Sequence, residues 1–218
     1  MAIRLVLFDF DGTLADTLPL AFHAFGQVFR EADGREVSVP ELLAMFGPTE
    51  DDIIAGNLLT RERTNEAIER YYAIYEQEHA ARVGRSADID ELLAFLQGKG
   101  IRMGVVTGKS RRAFDISAAV MDIGRYFDYV VTGDDVTDPK PAPEGLLKAM
   151  EHFRMAKEET VFLGDSVADV LAGRAAGIRT YGVQWLPVTQ NDRFDPEPDA
   201  VFCRVSDFIK RIEPEIIE

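Results

Sequence analysis

Cysteine is nearly absent from this 218-residue chain, with Cys203 the only one. A lone thiol allows neither an intrachain disulfide framework nor a multi-cysteine metal site. Positive charge is also scarce: 24 lysines and arginines stand against 38 aspartates and glutamates, a net charge of −14. Non-specific DNA, RNA or anionic-membrane binding runs on clustered positive charge, so the expectation is no nucleic acid and no membrane partner. A small anionic substrate stays open, provided a local cation offsets the global field. No apolar run approaches the ~18 residues of a membrane span, and neither repeats nor low-complexity tracts occur. Met1 to Phe10 turns acidic too soon for a secretory leader, and with the single cysteine this points to the reducing cytoplasm. The 46% hydrophobic content suits one sizeable core with a small second domain.

Ile3 to Phe8 is a short apolar run broken by Asp9, the pattern of a strand buried on both faces. Similar runs recur at Ile101–Val106, Tyr129–Thr132, Thr160–Leu163 and Thr180–Val183. Helical stretches lie between the later ones. Asp88 to Glu91 reads as a capping box opening a helix with Leu92, Leu93 and Leu96 on one face. Ser110 suits the cap of the next helix, and Pro143 the first turn of the one carrying Leu146, Leu147 and Met150. Strand alternating with helix from residue 88 onward predicts a doubly wound parallel α/β sheet. Residues 15–86 break that rhythm. Leu18, Phe22, Phe25 and Phe29 recur at helical spacing, as do Ile68, Tyr71, Tyr72 and Tyr75, and no strand candidate appears. Ser38–Glu41 and Thr49–Asp52 resemble capping boxes of short helices. A helical insert therefore interrupts the sheet after its first strand, its aromatic stripes read as its own core.

Ligands of a doubly wound sheet bind outside the carboxyl ends of the strands. There the chain places Asp9-Phe10-Asp11-Gly12-Thr13, then Thr107-Gly108-Lys109, and then Gly164-Asp165-Ser166 with Asp169 four residues on. Lys140 lies between these in a Lys-Pro-Ala-Pro run. Any one of these segments is ordinary at a strand end. Together they crowd carboxylates that repel one another unless a cation sits among them. Hard oxygen donors without cysteine or histidine point to Mg²⁺.

These four segments, in this order, resemble the motifs of the haloacid-dehalogenase superfamily, and within it the small phosphatases similar to phosphoglycolate phosphatase. The likeness covers nearly the whole chain. It implies a flavodoxin-like core of residues 1–14 and 87–218, with a helical cap at 15–86. It also implies a Mg²⁺-dependent phosphatase acting on a small phosphorylated metabolite, as a monomer or homodimer. Asp9 would be the nucleophile that becomes an aspartyl-phosphate. Asp11 would protonate the leaving oxygen and later deprotonate the hydrolytic water. The metal would be held by Asp9, the backbone carbonyl of Asp11, and Asp165, with Asp169 acting just outside them. Thr107 and the backbone around Gly108 would bind the phosphoryl oxygens, and Lys140 would neutralise the transferring group.

The carboxyl at Asp11 disfavours halide release, which needs no proton. The insert contains no lysine, which removes the Schiff-base chemistry of phosphonate-cleaving relatives. Phe46 to Asp51 is acidic where phosphosugar mutases of the superfamily are basic. It is also the segment expected to enter the cleft, with Thr49 on the substrate. A phosphosugar phosphatase or mutase, a pyrophosphatase, and a non-catalytic binding protein working through the cap remain as alternatives. Lys109 reads either as a phosphate neighbour or as a solvated helix-start lysine. His23, His79 and His152 have no metal spacing and read as surface or packing residues, although His23 could face the site. Arg61 and Arg63 read as solvated, Cys203 as a small core residue, and Trp185 as the start of a loop beside the cleft.

Overall fold

The computed structural model describes residues 2–216. Among these, six parallel strands form one sheet: β1 (Leu5–Phe8), β2 (Arg102–Val106), β3 (Tyr129–Val131), β4 (Thr160–Gly164), β5 (Arg179–Val183) and β6 (Ala200–Phe202). Their order is β3-β2-β1-β4-β5-β6. The chain winds outward from β1 to β3, returns to β4 on the other side of β1, and winds outward again. The place where direction reverses, between β1 and β4, is where such a sheet opens a crevice. Leu5 faces Arg102 on one side and Thr160 on the other, so Phe8 and Leu163 end side by side at that crevice. All four β1 residues are buried, as the unbroken apolar run requires of a central strand.

Five α-helices lie between β1 and β2, and the first four make up the insert: α1 (Leu18–Asp33), α2 (Val39–Met45), α3 (Glu50–Asn57) and α4 (Thr64–Arg82). Phe25 of α1 meets Tyr71 of α4 with ring centroids 4.5 Å apart, so the aromatic stripes form the core between these helices. The remaining helices are α5 (Ala87–Gly98), α6 (Arg111–Met121), α7 (Glu144–Phe153), α8 (Val167–Ala176) and α9 (Val205–Ile212). Helix α4 is also tied to α6. Tyr72 Oη lies 2.8 Å from Ser110 Oγ, while Tyr75 Oη and His79 Nε2 each lie 2.9 Å from Ser117 Oγ.

Several local expectations shift. The cap of α5 is Ser86, whose hydroxyl accepts from Ile89 N, so Asp88 and Asp90 fall in the first turn. There they complement the helix dipole instead. Pro143 occupies the N-cap of α7, one position before its first turn. Strand β6 and helix α9 were not expected: a three-residue strand is too short to carry a periodic signal. Cys203 is exposed, because it follows β6 at the sheet edge instead of entering the core. No helix among the described residues is long and apolar enough to cross a membrane.

Candidate active site

Asp9 follows the last residue of β1 and is almost fully buried, 2% exposed. Asp165 follows β4, the strand beside it, and is wholly buried. Their approach depends on Gly12, which has φ +76° and no side chain: a Cβ there would lie 2.1 Å from Asp165 Oδ2. Asp169 is carried by the first turn of α8. Its Oδ2 accepts from the backbone N (3.0 Å) and hydroxyl (2.6 Å) of Ser166, which closes the capping box of that helix. Lys140 spans the group, its Nζ 2.6 Å from Asp9 Oδ1 and 2.6 Å from Asp169 Oδ1.

Asp9, Asp165 and Asp169 each offer a carboxylate oxygen within 4.8 Å of the others. Burial, working against the pull of Lys140, pushes the Asp9 carboxyl up to about 7, with Asp169 adding to the rise. Burial also drives Asp165 well above the usual carboxylate range, reinforced by Asp9 and Asp169. One ammonium does not balance three buried carboxylates. Asp165 Oδ1 is buried with no hydrogen-bond partner among the described residues, while its Oδ2 accepts from Gln190 N at 2.5 Å. An orphaned anionic oxygen in an all-oxygen donor set fits a hard divalent cation such as Mg²⁺. Both oxygens of Asp169 are already engaged, by Lys140 and Ser166.

Asp11 sits at the rim. Thr17 Oγ1 donates to its Oδ1, and Lys109 Nζ lies 3.2 Å from the same oxygen. Lys109 is buried, not solvated. It also pairs with Oε1 of Glu50 from α3 at 3.1 Å and lies 4.6 Å from the centroid of the Tyr75 ring. Burial works against its charge, but Asp11, Tyr75 and Glu50 outweigh it and hold its pKa well above the ordinary lysine value. Lys140 follows the same pattern, with Asp169 and Asp9 overcoming burial.

Asp9, Asp11, Lys109 and Lys140 line a cleft of about 290 Å³ with Thr107, Gly108, Ser166, Gln190 and Asn191. Phe46, Gly47, Pro48 and Glu50 enter it from the insert, so the expected segment does reach the cleft. Thr49 is not among the lining residues. Its hydroxyl accepts from Asp52 N at 3.3 Å and donates to Asp52 Oδ2 at 2.8 Å, which makes it the cap of α3.

The histidines stand apart. His23 pairs with Glu78 at 3.2 Å, His152 stacks on Tyr129 with centroids 3.9 Å apart, and His79 is buried on Ser117. Arg61 and Arg63 donate to backbone carbonyls within the insert, at Ala55 and Glu31 respectively. Trp185 donates to the Thr13 carbonyl at 2.8 Å and so anchors the segment that brings Gln190 to Asp165. Sequence reasoning missed Glu50 and Gln190. Glu50 looks like any first-turn acid, and Gln190 acts through its backbone N–H, which no side-chain pattern marks.

A sheet of this topology, with paired aspartates after β1 and a lysine and further aspartates closing on them, defines the chain by class. It belongs to the haloacid dehalogenase-like hydrolases, whose family description matches residues 6–183. Among individual relatives it is 32% identical to pyrophosphatase PpaX of Anoxybacillus flavithermus over 96% of each chain. It is 31% identical to pyrophosphatase PpaX of Bacillus velezensis over 95% of each. A structure described as a predicted phosphoglycolate phosphatase from Haemophilus somnus superposes with a TM-score of 0.83 at 20% identity, covering 96% of this chain and 97% of that one. That last likeness is one of fold alone. The chain is a phosphatase of this family.

Proposed function

We propose that the protein is a Mg²⁺-dependent phosphatase that cleaves a small phosphate monoester through an aspartyl-phosphate at Asp9. The observation that carries this reading is Lys140 bridging Asp9 and Asp169 beside the unpartnered oxygen of Asp165. A carboxylate of Asp9 attacks phosphorus, and the bond from phosphorus to the leaving oxygen breaks as Asp11 gives that oxygen a proton. Asp11 then takes a proton from water, whose oxygen attacks phosphorus, frees inorganic phosphate and restores the Asp9 carboxylate. Lys140 offsets the charge on Asp9 and on the phosphoryl oxygens. Thr107 and the backbone around Gly108 bind those oxygens from the carboxyl end of the neighbouring strand β2.

Asp9, the carbonyl of Asp11, and Asp165 would hold Mg²⁺, with Asp169 ordering Lys140 and Ser166 around them. When bound, the ion supplies charge neutralisation and orientation of the phosphoryl group. Residues 15–86 act as the cap that excludes bulk water and chooses the leaving group. The single cysteine favours a cytoplasmic setting, and a monomer or homodimer suffices because the cleft is built within one chain.

Pyrophosphate is a second reading, favoured by the names of the curated relatives. It and the phosphoglycolate-like ester expected from sequence differ only in what leaves. Hydrolysis of p-nitrophenyl phosphate with added Mg²⁺, lost in excess chelator, tests the reading. Full activity in chelator would remove the metal from it, and no hydrolysis at all under saturating Mg²⁺ would count against the phosphatase assignment.

A further inference from the structure

We propose that the cleft takes phosphate esters of neutral, largely apolar alcohols, disfavours carboxylate and phosphate leaving groups, and owes this preference to Glu50. The inference rests on the phosphatase reading above and concerns only the departing group.

The insert presents Leu18, Ala21, Phe25, Leu43, Phe46 and Ile53 to the cleft. No arginine lines it among the described residues, and both lining lysines are committed. Lys140 lies between Asp9 and Asp169. Lys109, the cation on the Asp11 side where the leaving oxygen must be protonated, lies between Asp11 at 3.2 Å and Glu50 at 3.1 Å.

Glu50 is the unusual member. It reaches from the first turn of α3 to the far side of the cleft, is 5% exposed, and its Oε2 accepts from Ser110 N at 2.7 Å. Asp11 holds its proton for the leaving oxygen when the ester arrives, so the ammonium of Lys109 is taken up by the Glu50 carboxylate. An arriving carboxylate or phosphate would meet an apolar wall and the like charge of Glu50, with no free cation to pair with. Juxtaposed like charges and unpaired buried anions are both strongly unfavourable. A neutral organic group instead removes its apolar surface from water against the same wall.

Glu50→Gln keeps the shape and the acceptor for Ser110 N, and leaves Lys109 with Asp11 as its one carboxyl partner. The test measures kcat/KM for phenyl phosphate, 4-carboxyphenyl phosphate, 2-phosphoglycolate and pyrophosphate, in the full chain and in Glu50→Gln, with saturating Mg²⁺. The matched aryl pair separates charge from leaving-group reactivity. The expected result is a preference of ~10-fold or more for phenyl phosphate over each anionic-leaving-group substrate, shrinking by about as much in Glu50→Gln. Wild-type kcat/KM for the carboxyphenyl ester, 2-phosphoglycolate or pyrophosphate equal to or above that for phenyl phosphate overturns the inference and leaves the phosphatase standing. A uniform loss across all four substrates in Glu50→Gln overturns the role of Glu50 and makes it a structural tie. No turnover of any of the four by the wild type overturns the phosphatase reading itself.

Discussion

The ammonium of Lys109 lies 3.2 Å from Oδ1 of Asp11, 98 residues earlier in the chain. With Thr17 donating to the same oxygen, it fixes the carboxyl proposed to move the proton. Lys109 is held from the other side by Glu50, so the acid–base residue and the insert share one counter-ion.

Lys109→Met therefore has two expected consequences. Removing one partner of a buried ion pair strands the other, typically at ~3–5 kcal/mol, so the midpoint of thermal unfolding falls. Turnover falls more for esters of poor leaving groups than for p-nitrophenyl phosphate, within the ~10²–10⁴-fold that acid–base help supplies. Equal losses for both substrates, measured on folded protein, would show that Lys109 does not act through Asp11.

Thr49 was expected on the substrate, but its hydroxyl caps α3. Thr49→Ala should cost about 1 kcal/mol of stability by denaturant titration, with the ranking of substrates by kcat/KM unchanged. A reordered ranking with unaltered stability would restore the original expectation.

His79 gives a pH dependence. Burial, with Lys109 adding to it, lowers its pKa from 6.5 to about 4, so the folded protein holds this ring neutral while the unfolded chain protonates it first. The corresponding stability is complete above pH 6.5 and drains away as pH falls toward 4. It amounts to ~2 kcal/mol lost by pH 5 from this group. Denaturant unfolding at pH 7.5 and pH 5 measures it, with His79→Gln as the comparison. An equal pH 7.5-to-5 difference in both proteins would remove His79 as the cause.

The core was legible because its signals are local. Apolar runs ending in aspartate gave β1 and β4, and serine or threonine caps gave several helix starts. The segments that carry Asp9, Thr107 and Asp165 stood at strand ends and Lys140 in a loop between them, and the fold brings all four segments to one cleft. Contacts across the cleft were not legible. That Lys109 is buried on Glu50, 59 residues away, follows from how α3 lies against α4 and α4 against α6, and no spacing encodes it. Gln190 reaches Asp165 because Trp185 anchors its segment to Thr13, again a tertiary relation. Strand β6 escaped because it is short and lies at the sheet edge, where Val201 stays exposed.

The central claim is that phosphorus is transferred to Asp9 before it reaches water. Its most direct test is borohydride trapping during turnover, followed by peptide mass spectrometry, since borohydride reduces an acyl phosphate to an alcohol and leaves a free carboxylate untouched. The account predicts homoserine at position 9 only when substrate and Mg²⁺ are both present, and none at Asp11. Steady turnover with Asp9 recovered unreduced, or with reduction at another carboxylate, would contradict it.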